Sequence, residues 1–173
     1  MEKTVIVTGA NGGIGSAICK AIGASGGTPI GIDIQPQGKG DWLYRRCDLS
    51  DEENIRSVID GLLAEYEIDV LVNNAGHYHA KTFFDIGMND FDMSIAVNLR
   101  APFLLVKLVA PSMIERGCGQ IINITSLSAH TGSLVTDYGM TKAGVVGLTK
   151  GLSKTLGPSG ICVNAIAPGF TDT

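Results

Sequence analysis

Short, continuously apolar runs alternate along this chain with longer stretches whose apolar residues recur every three or four positions. Val5-Ile6-Val7 is a β-branched run ending at Thr8-Gly9, and a helical pattern follows from Ile14 to about Ala24. Gly26-Gly27 stops that helix, and Pro29-Ile30-Gly31-Ile32 reads as a second strand ending near Asp33. After a polar loop over residues 35–41, Leu43 to Cys47 reads as a short third strand. Ser50-Asp51-Glu52-Glu53 combines N-cap chemistry with first-turn acids, and Ile55, Val58, Ile59, Leu62 and Leu63 then keep helical spacing. Asp69 to Asn73 is a fourth strand. Residues 91–115 form a helix that is apolar on nearly every side and bends or splits at Pro102. Gln120 to Ile124 is a fifth strand, Tyr138 to about Leu156 a helix, and Ile161 to Ile166 a sixth strand.

Strands this short and this continuously apolar are covered on both faces, which argues for a parallel sheet between helical layers. Right-handed crossovers then wind the chain into a Rossmann-like, doubly wound α/β fold. The 173 residues suffice for one such domain, taken as 1–173, with 45% apolar and 17% charged residues. A formal net charge of −4, with no basic stripe, speaks against nucleic acid and against anionic membranes. No apolar run reads as a bilayer span, and the N-terminus lacks the architecture of a signal peptide. Cys19, Cys47, Cys118 and Cys162 each sit in or beside an apolar stretch, so buried free thiols and a reducing cytoplasm are expected.

The first βα turn reads Thr8-Gly9-Ala10-Asn11-Gly12-Gly13-Ile14-Gly15. Glycines in such a turn let it bend sharply, bring backbone N–H groups close to a pyrophosphate, and seat the helix against the sheet. The helix N-terminus then faces the phosphates. The spacing is T-G-x-x-x-G-x-G, and through Gly12 also T-G-x-x-G-x-x-G; neither is the usual G-x-G-x-x-G. Asp33, at the end of the second strand, is placed to accept hydrogen bonds from the adenine-ribose hydroxyls and to repel a 2′-phosphate. NAD is therefore preferred over NADP; the competing reading is an ordinary turn aspartate. No Arg or Lys lies in the glycine turn or directly after Asp33.

Tyr138-Gly139-Met140-Thr141-Lys142 sets a phenol and an amine at i and i+4, on one helix face. A free phenol, with a pKa near ~10, is mostly un-ionised at neutral pH. A neighbouring ammonium favours the phenolate and makes Tyr a usable acid/base for an alcohol or carbonyl oxygen.

Taken together, the Thr8–Gly15 turn, Asp33, Asp48-Leu49, Asn73-Asn74-Ala75-Gly76, Asn98, Ser126, Tyr138-x-x-x-Lys142 and Pro168-Gly169 closely resemble the short-chain dehydrogenase/reductase family, in family order along the whole chain. Asn73-Asn74-Ala75-Gly76 and Pro168-Gly169 resemble its shorter oxidoreductase branch, although the glycine turn and Tyr138-Gly139 also suit the extended branch. The resemblance implies that Tyr138 exchanges a proton with the substrate oxygen. Lys142 would lower the Tyr138 pKa and bind the nicotinamide ribose. Ser126 would orient the substrate oxygen, and Asn98 would hold a water in a proton relay toward Lys142. It also implies a dinucleotide bordered by Gly9, Asn11, Gly12, Gly13, Ile14 and Gly15. Asp33, Ile34, Asp48 and Leu49 would lie toward the adenosine. Asn74, Ala75, Gly76, Pro168, Gly169, Thr171 and Thr173 would complete the border.

Ser128 competes with Ser126 for its role, and Asn98 could instead be a helix residue bonded to backbone. His77, His79 and His130 have no metal-ligand spacing, and His130 is either a substrate contact or an exposed loop residue. The function expected is NAD(H)-dependent hydride transfer between nicotinamide and a secondary alcohol or ketone. The alternative is a non-catalytic dinucleotide-binding or redox-sensing module. The apolar helices at 91–115 and 138–156 imply a homodimer or homotetramer. Family members continue past the sixth strand, so the chain reads as truncated at its C-terminus.

Overall fold

The computed structural model describes residues 2–171. Six strands, β1 (Thr4–Thr8), β2 (Thr28–Asp33), β3 (Leu43–Arg46), β4 (Val70–Asn73), β5 (Gly119–Ile124) and β6 (Ile161–Ile166), form one sheet in the order β3-β2-β1-β4-β5-β6. Every pairing is parallel. The connections carry α1 (Gly13–Ala24), α2 (Glu52–Glu65), α3 (Met88–Ile95), α4 (Ala101–Arg116), α5 (Ser128–Thr131) and α6 (Thr136–Leu156). The order reverses direction between β1 and β4, which opens a crevice at the carboxyl ends of those two strands.

Adjacent residues of β1 serve opposite layers, which explains its unbroken apolar run. Ile6 joins a core with Ile55, Ile59 and Leu62 of α2 and Leu105, Val109 and Met113 of α4. Val5 and Val7 join the other, with Val70, Val72 and Cys19 of α1. The expected strands and long helices are present within a few residues of their predicted ends. The short α5 and the 3₁₀ turns at Phe83–Asp85 and Gly157–Ser159 were not anticipated. They lack the length for a periodic signal.

The helix expected at 91–115 starts earlier, at Met88, and does not break at Pro102. Instead the preceding turn widens into a π-segment, Ala96–Arg100, in which the Ala101 N–H reaches back to the Ala96 carbonyl. Pro102 has no N–H and sits in the first turn after that register change, where the loss of a donor is tolerated. The combined helix, Met88–Arg116, is long and apolar enough by length and composition to cross a membrane, contrary to the sequence reading. In this fold it is a core helix, packed on β4, β5, α2 and α6.

Two thiols also depart from expectation. Cys19 and Cys47 are buried, and burial pushes each up to about 11. Cys118 and Cys162 are exposed. Cys162 lies on β6 between the buried Ile161 and Val163, on the opposite face of the strand from them.

Asp51 caps α2, its carboxylate accepting from the N–H groups of Glu53 and Asn54 at 2.9 and 3.1 Å. Replacing it strands both donors. Asp51→Ala is expected to cost about 1 kcal/mol, read as a lower urea midpoint with an unchanged slope.

Candidate active site

The glycine turn between β1 and α1 closes on the end of β4 at very short range. Gly9 has φ +66°, and a Cβ there would stand 2.9 Å from the Ala75 Cα; one on Gly15 would stand 2.1 Å from the Gly9 carbonyl oxygen. Only hydrogen fits at either place. The seam is fastened by polar groups: Thr8 Oγ1 accepts from the Asn74 and Ala75 N–H groups, each at 3.0 Å, and the Asn74 amide donates to the Thr8 carbonyl at 2.9 Å. The N-cap of α1 is Gly12, with no side-chain cap and no acid in the first turn. Backbone N–H groups at the head of a 12-residue helix therefore point into the crevice, an arrangement that suits an anion.

A cleft of about 540 Å³ runs from this turn across the crevice. It is lined by Gly9, Asn11, Gly12, Gly13, Ile14, Gly15, Asp33, Asn74, Ala75, Gly76, Ser126, Tyr138, Lys142, Pro168, Gly169 and Thr171, all expected from sequence. Ile34, Asp48 and Leu49 line an adjoining pocket of about 240 Å³ shared with Gly9, Asp33 and Ala75. Thr173 lies outside the described residues.

At the adenosine end, Asp33 has a second task. Its Oδ2 accepts from the Asn11 N–H at 3.0 Å and its Oδ1 from the Gln35 N–H at 3.3 Å, so it also braces the glycine turn. The Asn11 side chain does not face outward as a free ligand group. It donates to the Gln37 carbonyl and accepts from the Lys39 N–H, folding the 35–41 loop over this end. Lys39 thereby joins the cleft lining, and its ammonium approaches the Asn11 carbonyl at 3.5 Å. Sequence proximity to Asp33 gave no sign of this cation.

At the other end, α6 presents Tyr138 and Lys142 together. The Lys142 Nζ lies 5.7 Å from the centre of the Tyr138 ring and donates to the Ile124 carbonyl at 2.9 Å. Lys142 is 4% exposed, and its burial lowers its pKa to about 8. Ser126 Oγ accepts from the Ser128 N–H at 3.1 Å. Ser126 lines both the cleft and a second cavity on the far side of Tyr138, whereas Ser128 lines the second cavity alone. Position therefore favours Ser126 over Ser128 as the group beside Tyr138.

Asn98 is buried behind the cleft rather than lining it. Its Oδ1 accepts from the His77 N–H at 2.6 Å, and its Nδ2 donates to the His77 carbonyl at 2.9 Å and to Thr141 Oγ1 at 3.2 Å. Its amide thus holds the 74–79 segment against α6.

Sequence reasoning missed two features. Tyr78 stands edge-on to Tyr138, ring centres 5.3 Å apart at 88°. Beneath it, buried Asp137 accepts from Ser94 Oγ at 2.5 Å and from His79 Nε2 at 2.9 Å. The carboxylate only accepts, so Nε2 carries the hydrogen. Burial alone would raise the Asp137 carboxyl; the Ser94 hydroxyl and His79 ring outweigh it and hold the group below its ordinary 3.8. No local signal pairs residues 79 and 137. His130, the histidine singled out as a possible contact, is exposed on α5 and lines none of the cavities described here.

Strand order, glycine turn and cleft define a dinucleotide-binding α/β fold with a tyrosine–lysine–serine set at one end. Comparison with known proteins gives it a family. The family model described as short chain dehydrogenase matches residues 3–173. The nodulation protein G of Azospirillum brasilense is 37% identical over 187 residues, covering 99% of this chain and 76% of that protein. A short-chain dehydrogenase from Streptomyces avermitilis superposes with a TM-score of 0.95 at 32% identity, covering 100% of this chain and 67% of that one. A metagenomic short-chain oxidoreductase in complex with NADP gives 0.90 at 32% identity, covering 97% and 82%. The chain belongs to the short-chain dehydrogenase/reductase family of oxidoreductases.

The Asp137 pair makes a test of its own. Removing a buried carboxylate that accepts two hydrogen bonds strands the Ser94 hydroxyl and the His79 Nε2–H, at a cost on the order of 2 kcal/mol, so Asp137→Ala is expected to unfold that much more easily in urea at neutral pH. A carboxyl held low contributes its stability above 3.8 and loses it as pH falls through the folded value. The gap between variant and wild type is therefore expected to close in acid.

Proposed function

We propose that this protein is an NAD(H)-dependent oxidoreductase that interconverts a secondary alcohol and a ketone, with Tyr138 as acid/base. The observation that carries the reading is the convergence of Tyr138 and Ser126 on the junction between the cleft and the second cavity, with Lys142 behind Tyr138. NAD(H), when bound, exchanges a hydride with the substrate carbon. Ser126 donates a hydrogen bond to the substrate oxygen and fixes its distance from Tyr138. The Tyr138 hydroxyl gives its proton to that oxygen in reduction and takes it back in oxidation. The Lys142 ammonium favours the phenolate and hydrogen-bonds the nicotinamide ribose. With a value of about 8, it is mostly charged at neutral pH. Asn98, fixed by its bonds to the His77 backbone, would hold a water that passes protons toward Lys142. A non-catalytic dinucleotide module has no use for this set.

The residues fit the cofactor along its length. The uncapped head of α1 takes the pyrophosphate, and Asp33 with Ile34, Asp48 and Leu49 takes the adenosine. Asn74–Gly76, Pro168, Gly169 and Thr171 border the nicotinamide half. A solved relative is a complex with NADP. Here the Asp33 carboxylate disfavours a 2′-phosphate, against which Lys39 in the same cleft acts. We assign the balance to Asp33 and hence a preference for NAD. A cytoplasmic enzyme and a homodimer or homotetramer belong to the same reading. Phe103 and Ile114 of α4 and Met140 of α6 are exposed apolar residues on the helices concerned.

Tyr138→Phe is expected to lower kcat by at least a thousandfold on a panel of secondary alcohols and ketones while leaving the NADH Kd within about twofold; substantial residual turnover removes Tyr138 from its role. For the cofactor, wild-type protein is expected to bind NADH more tightly than NADPH by tenfold or more, and Asp33→Ala to erase the difference. Equal or tighter NADPH binding by the wild type overturns the preference.

A further inference from the structure

The second cavity, about 720 Å³, begins where Ser126 and Tyr138 leave the cleft, on the side away from the glycine turn. If those two residues handle the reacting oxygen, the rest of the substrate lies here. Its composition is one-sided. Leu127, Leu134, Val135 and Phe170 supply apolar walls, with hydroxyls from Ser128 and Ser133 between them. Among the described residues, every side chain lining it is uncharged. The nearest ammonium, that of Lys142, lines the cleft instead and is bound to the Ile124 carbonyl.

Among the described residues, Leu127, Leu134 and Phe170 contribute apolar side chains to this cavity. An apolar group settling among them removes its own surface and theirs from water together. A carboxylate or phosphate entering the same space gives up hydration with no cation to replace it.

We propose that the site takes an uncharged ketone, or its secondary alcohol, whose larger substituent is apolar, and that it discriminates against carboxylates and phosphates. This specificity rests on the oxidoreductase reading of the same site, and its test can fail separately. Levulinate, ethyl levulinate and benzyl levulinate share one ketone and differ in charge and apolar bulk. With NADH-loaded protein, kcat/KM from nicotinamide absorbance is expected to rank benzyl above ethyl ester. The ethyl ester is expected to exceed the free acid by about a hundredfold, or about 2.8 kcal/mol at 1.4 kcal/mol per tenfold.

Leu134→Arg places a cation at the wall without touching the proton-transfer set. It is expected to narrow that gap at least tenfold by raising the rate with levulinate. Saturation-transfer NMR of the same three compounds on the loaded protein gives binding independently of turnover. If the esters bind and the acid does not, with no turnover of any, the substrate class stands and the hydride-transfer reading fails. Equal or better use of the acid, an unchanged ratio in Leu134→Arg, or no detectable binding of the esters overturns the proposal. Fructose outperforming benzyl levulinate overturns its apolar half.

Discussion

The constraint on which this structure depends is the close approach between the end of β1 and the end of β4. Two backbone segments meet there with no room for a side chain: a Cβ on Gly9 would sit 2.9 Å from the Ala75 Cα. Asn74 locks the contact by donating to Thr8 twice, from its backbone N–H to the hydroxyl and from its side-chain amide to the carbonyl. Because the strand order reverses at this seam, the crevice that results has the head of α1 on one wall and the 74–79 segment on the other. A looser seam would leave the same residues present and the cleft without its shape.

From the seam outward, polar groups are placed at a cost to the fold. Lys142 is the clearest case. Burial lowers its pKa to about 8, so folding works against its charge, and one carbonyl compensates it. A core chosen for stability alone would hold an apolar residue there. Asn98 is the contrasting case: its amide is engaged by the His77 backbone and by Thr141, and serves to hold the 74–79 segment against α6. The wall of the site facing Tyr138 is built on a third arrangement, Ser94, Asp137 and His79, whose hydrogen bonds fasten α3, α6 and the loop that carries Tyr78.

Much of this was legible in the sequence, for reasons that can be named. Strands and helices follow from the spacing of apolar residues. The glycine turn carries its own steric signature, and Tyr138 and Lys142 share a helix face by arithmetic. What resisted reading has a common cause. Lys39 enters the cleft only because Asn11 folds the 35–41 loop back, and His79 meets its partner 58 positions along the chain. Pro102 was expected to bend or split its helix, yet the π-segment before it absorbs the missing donor with the helix unbroken. Cys162 follows the apolar pattern of a buried strand and is exposed among the described residues.

The sequence by itself determined the alternation of strand and helix and the class of fold, since both depend on apolar patterns within about a dozen residues; the residues of the cleft were named from resemblance along the whole chain. Tertiary structure alone decided where the buried carboxylate finds its donors and what kind of wall encloses the second cavity. Those outcomes depend on how crossovers bring distant segments together. Local periodicity sets which face of an element is buried, and carries no record of what will lie against it.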